Sequence, residues 1–363
     1  MTQSLADFVH AVSGDDHLTV EENLGDGFVR LKTAEAERRQ AKHDIRAVED
    51  IVVEMLRNSR DAHARNIYLA TSRDGNLKTL VFLDDGDGVP ISLQERIFEP
   101  RVTSKLDSMV MDRWGVHGRG MALYSIKCNT QSARVVAGDS GLGSSIEVDI
   151  DLNQLQEKAD QSTYPKLVRD EDDALVVARG PHNIIRNIVE FSLEHREKVN
   201  VYYGSPTDIV ARLYVDGQKR LSDDQMLFCD DVEDLPVTLR PAVCADALEL
   251  VRTCQGIALP ISERTAHRII AGQIPPALCP LQRITPERPQ DKKVDLYRDN
   301  RGLKIAKDDL QAFSDAAERS FKALAERYYL ELKGEPKVKV GKDCITVKFD
   351  IDKGLVLRLL HEI

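Results

Sequence analysis

The spacing of hydrophobic residues predicts a series of helices and strands in the first 152 residues. Between residues 44 and 63, Ile51, Val52, Met55 and Leu56 recur with a helical repeat, which predicts an amphipathic helix that buries one face. After this helix, short apolar runs bounded by turn residues predict four strands, with a second helix between the second and third strands. The strands fall at 66–72, 79–84, 132–138 and 144–152, and the second helix falls at 121–129. Helices and strands in this order favour an α/β layer domain.

The rest of the chain changes character several times. Residues 153–175 are polar and acidic, as in a linker, and five prolines between 274 and 290 indicate an extended connector. VDGQ at 215–218 is typical of a hairpin turn. Apolar residues at three- and four-residue steps predict a long helix at 306–333, followed by two strands. The predicted divisions are an N-terminal capping segment (1–40), the α/β domain (41–152), a linker (153–175), an α+β second domain (176–273), a Pro-rich connector (274–290) and a C-terminal long helix with a β-hairpin (291–363).

Composition narrows the class of protein. The 363 residues are 42% hydrophobic and 30% charged, which is typical of a globular protein, and no apolar run approaches a membrane span. Six cysteines lie at irregular intervals without a CxxC pair, which disfavours a zinc site or a disulfide framework. With no export signal at the N-terminus, we expect a cytoplasmic protein. The net charge of −10 disfavours nonspecific nucleic-acid binding by the whole surface.

Three local features carry candidate chemistry. In EMLRNSRDAHA, Glu54 and Asn58 stand four residues apart, so a helix presents both on one face, with Asp61 near it. Asp84 ends a predicted strand, and Gly86 and Gly88 follow it. An aspartate there can accept a hydrogen bond from an exocyclic amine, while glycines let backbone approach a flat ring. Gly115, Gly118 and Gly120 precede the second helix, where free backbone N–H groups and a helix N-terminus bind phosphate.

The order of these features resembles the GHKL superfamily, which includes gyrase, the heat-shock chaperone of the Bergerat fold, histidine kinases and MutL. EMLRNSRDAHA is similar to the N box, and Asp84-x-Gly86-x-Gly88 to the first glycine box. RIFEPRVTSK resembles the kinase F box, although the family usually has an aromatic residue where Arg101 stands. The run from Gly118 through Gly120 and Met121 to Lys127 resembles a kinase glycine box. GLGSSIEV has Ser144 where the family usually has threonine.

The resemblance covers about residues 40–152 and implies a fold and a ligand. It implies a two-layer α+β sandwich of the Bergerat type that binds ATP with Mg²⁺. Asn58 would bind the magnesium, Asp84 would bind the adenine amine, and Ser144 would support Asp84 through water. The glycines at 115, 118 and 120, with Met121 in the same run, would fold over the phosphates. Lys105 is a further candidate phosphate contact, and Asp61 has a structural role, as a cap or paired with Arg57 or Arg65.

Glu54 bears on the reaction. A histidine needs no base to attack a γ-phosphate, whereas water or a serine hydroxyl does, and a carboxylate supplies it. Histidine kinases of the family typically have an amide at this position, whereas MutL, gyrase, the chaperone and also the serine-directed kinases have glutamate, so Glu54 indicates hydrolysis or hydroxyl phosphorylation rather than histidine phosphorylation. We therefore predict a slow magnesium-dependent ATPase whose nucleotide state changes the conformation of residues 153–363. A protein kinase, hydroxyl- or histidine-directed, stays an alternative because the F box and the Gly118–Lys127 run are kinase-like.

A binding protein is the alternative from another class. An ATP-gated module could bind a protein partner or nucleic acid, and the chain could form a homodimer. Residues 245–272 resemble a helix-turn-helix, but Gly256 lies too far from the following helix for the usual short turn. A pair of helices that pack into the core explains the same pattern.

Overall fold

The protein forms two compact units, Met1–Pro286 and Glu287–Ile363. The boundary falls inside the predicted Pro-rich connector. The computed structural model describes residues 19–104, 110–112, 115–117, 120–170, 174–196, 198–222, 231–284, 307–328, 330–340 and 344–352. Among these, no helix is long and apolar enough to cross a membrane.

A five-stranded mixed sheet organises the first unit. Its strands are β3 (Asn66–Asp74), β4 (Leu77–Asp84), β8 (Ser132–Gly138), β9 (Ser144–Asp151) and β12 (Asn200–Gly204), in the spatial order β12-β3-β4-β9-β8. Strands β3, β4, β9 and β8 pair antiparallel, whereas β12 pairs parallel with β3. The four strands predicted before residue 153 are confirmed, with ends shifted by at most two residues.

Helices cover one face of this sheet. They are α2 (Val48–Asp61), α3 (Ala122–Asn129) and α4 (Ile184–Glu194). Alternate residues of a strand point to opposite faces, so Ile67 and Leu69 of β3 face this layer, where Leu56 and Ile126 also belong to the core. The α+β sandwich expected from the resemblance is confirmed, and the predicted helices at 44–63 and 121–129 correspond to α2 and α3.

The other face is covered by residues beyond the predicted linker. Tyr68 and Ala70 of β3 lie in a second core with α5 (Pro206–Arg220), α6 (Ala247–Gly256) and α7 (Glu263–Ile270). Residues 245–272 thus form two helices that pack into the core, which was the alternative to a helix-turn-helix for this pattern. The hairpin of β10 (Lys166–Arg169) and β11 (Leu175–Arg179) and the short helix α8 (Pro280–Ile284) complete this part. The prediction that residues 274–290 are extended is wrong for α8, because Ala277, Cys279 and Leu281 pack into this core. Residues interpreted as a second domain therefore complete the sheet and one of its cores.

The predicted hairpin turn at 215–218 is wrong. Residues 206–220 are all helical, because Ser205 and Asp208 form a reciprocal capping box and Pro206 occupies the first turn. Gly217 is needed there because a side chain would collide with Ala242. The glycine marks close packing of this helix rather than a turn.

Residues 20–31 form a small sheet together with residues 102–103, separate from the five-stranded sheet. Strands β1 (Val20–Gly25) and β2 (Phe28–Leu31) make a hairpin, and β2 also pairs with β5 (Val102–Thr103). Helix α1 (Glu35–Asp44) follows, and β6 (Val110–Asp112) pairs with β7 (Gly115–His117). Single-turn 3₁₀ helices lie at Ile91–Leu93, Arg96–Phe98, Val232–Asp234 and Arg240–Val243.

The second unit contains the long helix predicted near the C-terminus. Helix α9 spans Lys307–Tyr328, and β14 (Lys337–Val340) pairs with β15 (Ile345–Lys348), so the predicted helix and strand pair are confirmed. Strands β13 (Glu331–Leu332) and β16 (Ile351–Asp352) form a second short pair. The rings of Phe321 and Phe349 stack with centroids 4.4 Å apart, which ties the helix to the strands.

Candidate functional site

The predicted polar stripe lies on a helix that is otherwise firmly held in the core. Helix α2 buries Ile51, Val52, Met55 and Leu56 almost completely. The carboxylate of Asp50 accepts hydrogen bonds from the backbone N–H groups before the helix and so closes its N-terminus. Because this apolar face fixes the rotation of the helix, the Glu54–Asn58 stripe has one direction in which to point.

That stripe faces a cavity of about 980 Å³. The cavity is lined by α2, by the ends of β4 and β9, and by the residues just before α3. Of the predicted site residues, it brings together Glu54, Asn58, Asp84, Gly88, Gly120, Met121 and Ser144. Its volume lies at the upper end of the range for small-molecule sites, so a whole nucleotide fits.

Asp84 is the most buried carboxylate in the cavity wall. Its side chain accepts three hydrogen bonds, from the hydroxyls of Ser59 and Ser144, both at 2.9 Å, and from the Gly86 N–H at 3.0 Å. Burial raises the pKa of Asp84 above its ordinary value, and the three hydrogen bonds oppose that rise only in part. The Ser144 hydroxyl contacts the carboxylate directly, where the resemblance implied support through water.

Glu54 and Asn58 stand one turn apart on α2, as predicted. The Glu54 carboxylate accepts a 2.7 Å hydrogen bond from Arg57, whose guanidinium is almost fully buried. The Nδ2 atom of Asn58 is buried and has no hydrogen-bond partner among the described residues. A buried polar atom without a partner requires an explanation, and a bound ligand, ion or water supplies one. Asp61, at the end of the stripe, pairs with Arg60 at 2.8 Å.

The cavity fits a magnesium ion held by one protein oxygen and by substrate phosphates better than a site built from protein ligands alone. Among the described residues, no group of three His, Cys, Asp or Glu side chains converges to hold a metal. Mg²⁺ usually keeps several waters and is held by one or two protein oxygens together with substrate phosphates. Asn58 lines the cavity and would offer its side-chain Oδ1 atom in that mode, whereas its unpartnered Nδ2 atom is a donor for a ligand oxygen and not a ligand for the ion.

Two of the predicted glycines are required by close backbone packing. A side chain at Gly88, where φ is +74°, would overlap the backbone oxygen of Asp139. One at Gly86 would overlap the backbone oxygen of Ala62, at the end of α2. These contacts join the strand that carries Asp84 to α2 and to the β8–β9 turn. These two glycines therefore allow close approach to neighbouring protein backbone, whereas the sequence suggested close approach to a flat ring of the ligand.

The structure describes part of the predicted phosphate-binding loop before α3. The backbone oxygen of Gly120 accepts from the N–H of Arg101 at 2.9 Å, and Met121 is the N-cap of α3. Met121, Ala122 and Leu123 line the cavity, so the N-terminus of α3 lies at its wall, where a helix N-terminus favours negative charge. Gly115 lies in β7. Lys105 and Gly118 lie outside the described residues.

The sequence interpretation missed part of the cavity wall. Asp26 and Phe28 of the N-terminal hairpin line the cavity, as do Gln40 and Asp44 of α1. They reach it because β2 pairs with β5, some 70 positions along the chain, a pairing that no local pattern indicates. Ser59 was also missed. Its place four residues C-terminal to Met55, inside the apolar stripe of α2, was the available signal.

Comparisons with known proteins agree with this geometry. Residues 45–171 match the family model described as histidine kinase-, DNA gyrase B-, and HSP90-like ATPase. An 88-residue stretch is 40% identical to the DNA mismatch repair protein MutL of Thermus thermophilus, and 82 residues are 38% identical to MutL of Thermus aquaticus. These stretches are 24% and 22% of this chain, and each covers 15% of its relative. The similarity to these curated relatives thus spans less than a sixth of their length.

Proposed function

We propose that residues 45–171, which match the family model, form an ATP-binding domain of the GHKL superfamily, and that the protein binds magnesium–ATP in the described cavity and hydrolyses it slowly. One observation carries the proposal: a buried acid with three hydrogen-bond donors, Asp84, lies in the same cavity as the Glu54–Asn58 stripe. Asp84 supplies a contact for the adenine ring, and the Glu54–Asn58 stripe supplies groups that act on the phosphates.

The buried acid would bind the adenine. The carboxylate of Asp84 is held rigid by Ser59, Ser144 and Gly86, and it accepts a hydrogen bond from the exocyclic amine when ionised. Guanine carries a carbonyl oxygen at the corresponding position, which a carboxylate repels. The proposal therefore includes a preference for ATP over GTP.

The stripe on α2 would act on the phosphates. Asn58 would hold Mg²⁺ through its side-chain oxygen, and the ion, when bound, would neutralise charge on the phosphate oxygens. Glu54 would accept a proton from the attacking water, because a carboxylate that lines the cavity can take the proton as the oxygen–phosphorus bond forms. The N-terminus of α3 would hold the phosphates in place.

The same helix offers a route by which the bound nucleotide could affect later residues. Glu49 of α2 is fully buried, and its carboxylate accepts from Lys158 N at 3.1 Å and from Gln161 Nε2 at 2.5 Å. Its backbone oxygen accepts from Asn187 Nδ2 on α4 at 3.1 Å. We propose that a shift of α2 on nucleotide binding is passed through these bonds to the residues that follow β9.

The relatives favour hydrolysis over phosphoryl transfer to protein. The matched curated relatives are MutL proteins, whereas Glu54 itself fits both the hydrolases and the serine-directed kinases of the superfamily and argues only against histidine phosphorylation. The kinase-like F box keeps transfer to protein as the second outcome that an experiment must separate. The mismatch-repair role named for these relatives is not part of the proposal, since only 15% of their length is matched.

Incubation with γ-labelled ATP tests the proposal. We expect label to appear as free phosphate with the wild type, and Glu54→Ala to retain nucleotide but lose phosphate release. Asp84→Asn should weaken nucleotide binding about tenfold or more, because it removes a charged acceptor. Asp74→Asn, at the exposed end of β3, is the control and should match the wild type. Label on a protein side chain would favour a kinase, and turnover in Glu54→Ala would place the base elsewhere.

A further inference from the structure

Arg57 has no part in the function proposed so far, yet it lies in the cavity wall beside Glu54. It is the one Arg or Lys among the described residues that line the cavity, and its side chain is 3% exposed. A buried guanidinium is tolerated only when it is paired, because an unpaired buried charge costs several kcal/mol. The carboxylate of Glu54, 2.7 Å from the Nη1 atom of Arg57, is one of its partners.

We infer that Arg57 is a positioning residue for Glu54, an inference that rests on the proposed ATPase function. A glutamate side chain is flexible, and fixing it in one rotamer costs conformational entropy. A general base must nevertheless be held where the attacking water will lie. The buried Arg57 fixes the carboxylate from the adjacent turn, so that this cost is met before ATP binds.

The geometry of the Arg57–Glu54 pair fits a positioning role better than the role of an ordinary ion pair on a helix surface. Pairs three residues apart on an exposed helix surface contribute little. Here the arginine is almost fully buried while Glu54 is 24% exposed, so the cation is fixed in the protein and the carboxylate reaches into the cavity. The planar guanidinium also sets the direction of the hydrogen bond, which a lysine does less well.

The same helix provides a matched control. Arg60 lies one turn after Arg57 and pairs with Asp61 at 2.8 Å and with the ring of His195 at 3.1 Å. Its side chain is 15% exposed. Arg60 is not among the described residues that line the cavity. Loss of Arg60 therefore tests what removal of a partly buried arginine from α2 does without disturbing Glu54.

The experiment measures nucleotide affinity and single-turnover phosphate release separately in the full chain. We expect Arg57→Met to lower the rate of release between about 10- and 100-fold while affinity changes less than about threefold. Arg57→Lys should recover part of the rate. Arg60→Met should leave the rate within about threefold of the wild type. Equal losses in Arg57→Met and Arg60→Met, or a loss of affinity as large as the loss of rate, would overturn the positioning role.

A double-mutant cycle isolates the path through Glu54. If Arg57 acts only by holding that carboxylate, Arg57→Met causes no further loss of rate when Glu54 is already Gln. The same fold-loss in both backgrounds would overturn the inference. Failure of the proposed function has a different signature, since Glu54→Gln alone would then leave the rate unchanged. Should Arg57→Met not fold, the cycle is run with Arg57→Lys, which keeps the charge, and the same two outcomes decide.

Discussion

Ser144 and Asp84 lie opposite each other in the antiparallel register of β9 and β4, and the Ser144 hydroxyl donates to the Asp84 carboxylate at 2.9 Å. Because the strand pairing itself sets this distance, the contact exists before any ligand arrives. Ser59 approaches the same oxygen from α2. The carboxylate is thus fixed by two elements of the core, which is the rigidity that a selective contact to a base requires.

Removal of the Ser144 hydroxyl should weaken nucleotide binding. The hydroxyl favours the ionised form of Asp84, so its loss raises the pKa of that carboxyl further. We expect Ser144→Ala to reduce affinity at neutral pH by about 1 kcal/mol, or roughly fivefold, in a fluorescent nucleotide titration. Ser145→Ala is the control, because that buried hydroxyl donates to the Ile257 carbonyl instead. Equal effects of the two substitutions would refute a specific role for Ser144.

Nucleotide affinity should fall on acidification at a higher pH than an ordinary aspartate would cause. The pKa of Asp84 is raised by burial, and only the ionised form accepts a hydrogen bond from an amine. Affinity should therefore be full above the raised pKa and be lost as the pH falls through it. Titration from about pH 8 to about pH 4 checks this. Asp84→Asn should lack the dependence, and an identical curve for that variant would assign it to another group.

The same carboxylate should lower the stability of the nucleotide-free protein. A folded-state pKa above the unfolded value means that stability is highest below about pH 4 for this group and is lost as the pH rises through the folded pKa. At neutral pH, Asp84→Asn removes the buried charge and should increase the free energy of unfolding in urea. A decrease would contradict the view that the native carboxylate is kept for binding at a cost in stability.

Gly88→Ala should be strongly destabilising, whereas Gly141→Ala should be mild. Both glycines have positive φ, but a side chain at Gly88 meets the backbone of Asp139 and Gly143, and one at Gly141 meets nothing within 4 Å. We expect a loss of about 3 kcal/mol or more for Gly88→Ala and about 1 kcal/mol for Gly141→Ala, measured by chemical denaturation. Similar losses would show that conformation alone, rather than the close approach, explains Gly88.

The buried thiol of Cys244 should resist alkylation in the folded protein. Burial raises its pKa from 9.0 to about 11, so little thiolate forms at pH 9. Cys128 and Cys344 are exposed and should react first, as mass spectrometry of iodoacetamide-treated protein would record. The raised pKa also means that stability from this group is full below about pH 9 and is lost as the pH rises towards 11. Early labelling of Cys244 would indicate local opening around it.

Local pattern and ordered motifs were enough to predict the central helix and strands and much of the site. Glu54, Asn58 and Asp84 were singled out by helical spacing and a strand end, Ser144 was expected from the resemblance to the GHKL superfamily, and all four line the cavity. What failed depends on pairings between distant residues. The parallel contact of β12 with β3 and the pairing of β2 with β5 leave no local signal, so the cavity wall around Asp26 was not anticipated. The turn predicted from VDGQ was wrong because the capping box of Ser205 and Asp208 starts a helix that continues through those residues.

Strand β12 has a practical consequence for where the nucleotide-binding part of the molecule can be cut. It pairs with β3 over five residues, from Asn200 opposite Asn66 to Gly204 opposite Ala70. A fragment that stops at residue 152 would carry every predicted site residue, yet it would present the bare edge of β3 and the uncovered ring of Tyr68 to water. Such edges recruit other chains. The compact unit that contains the motifs therefore extends far beyond them, to residue 286.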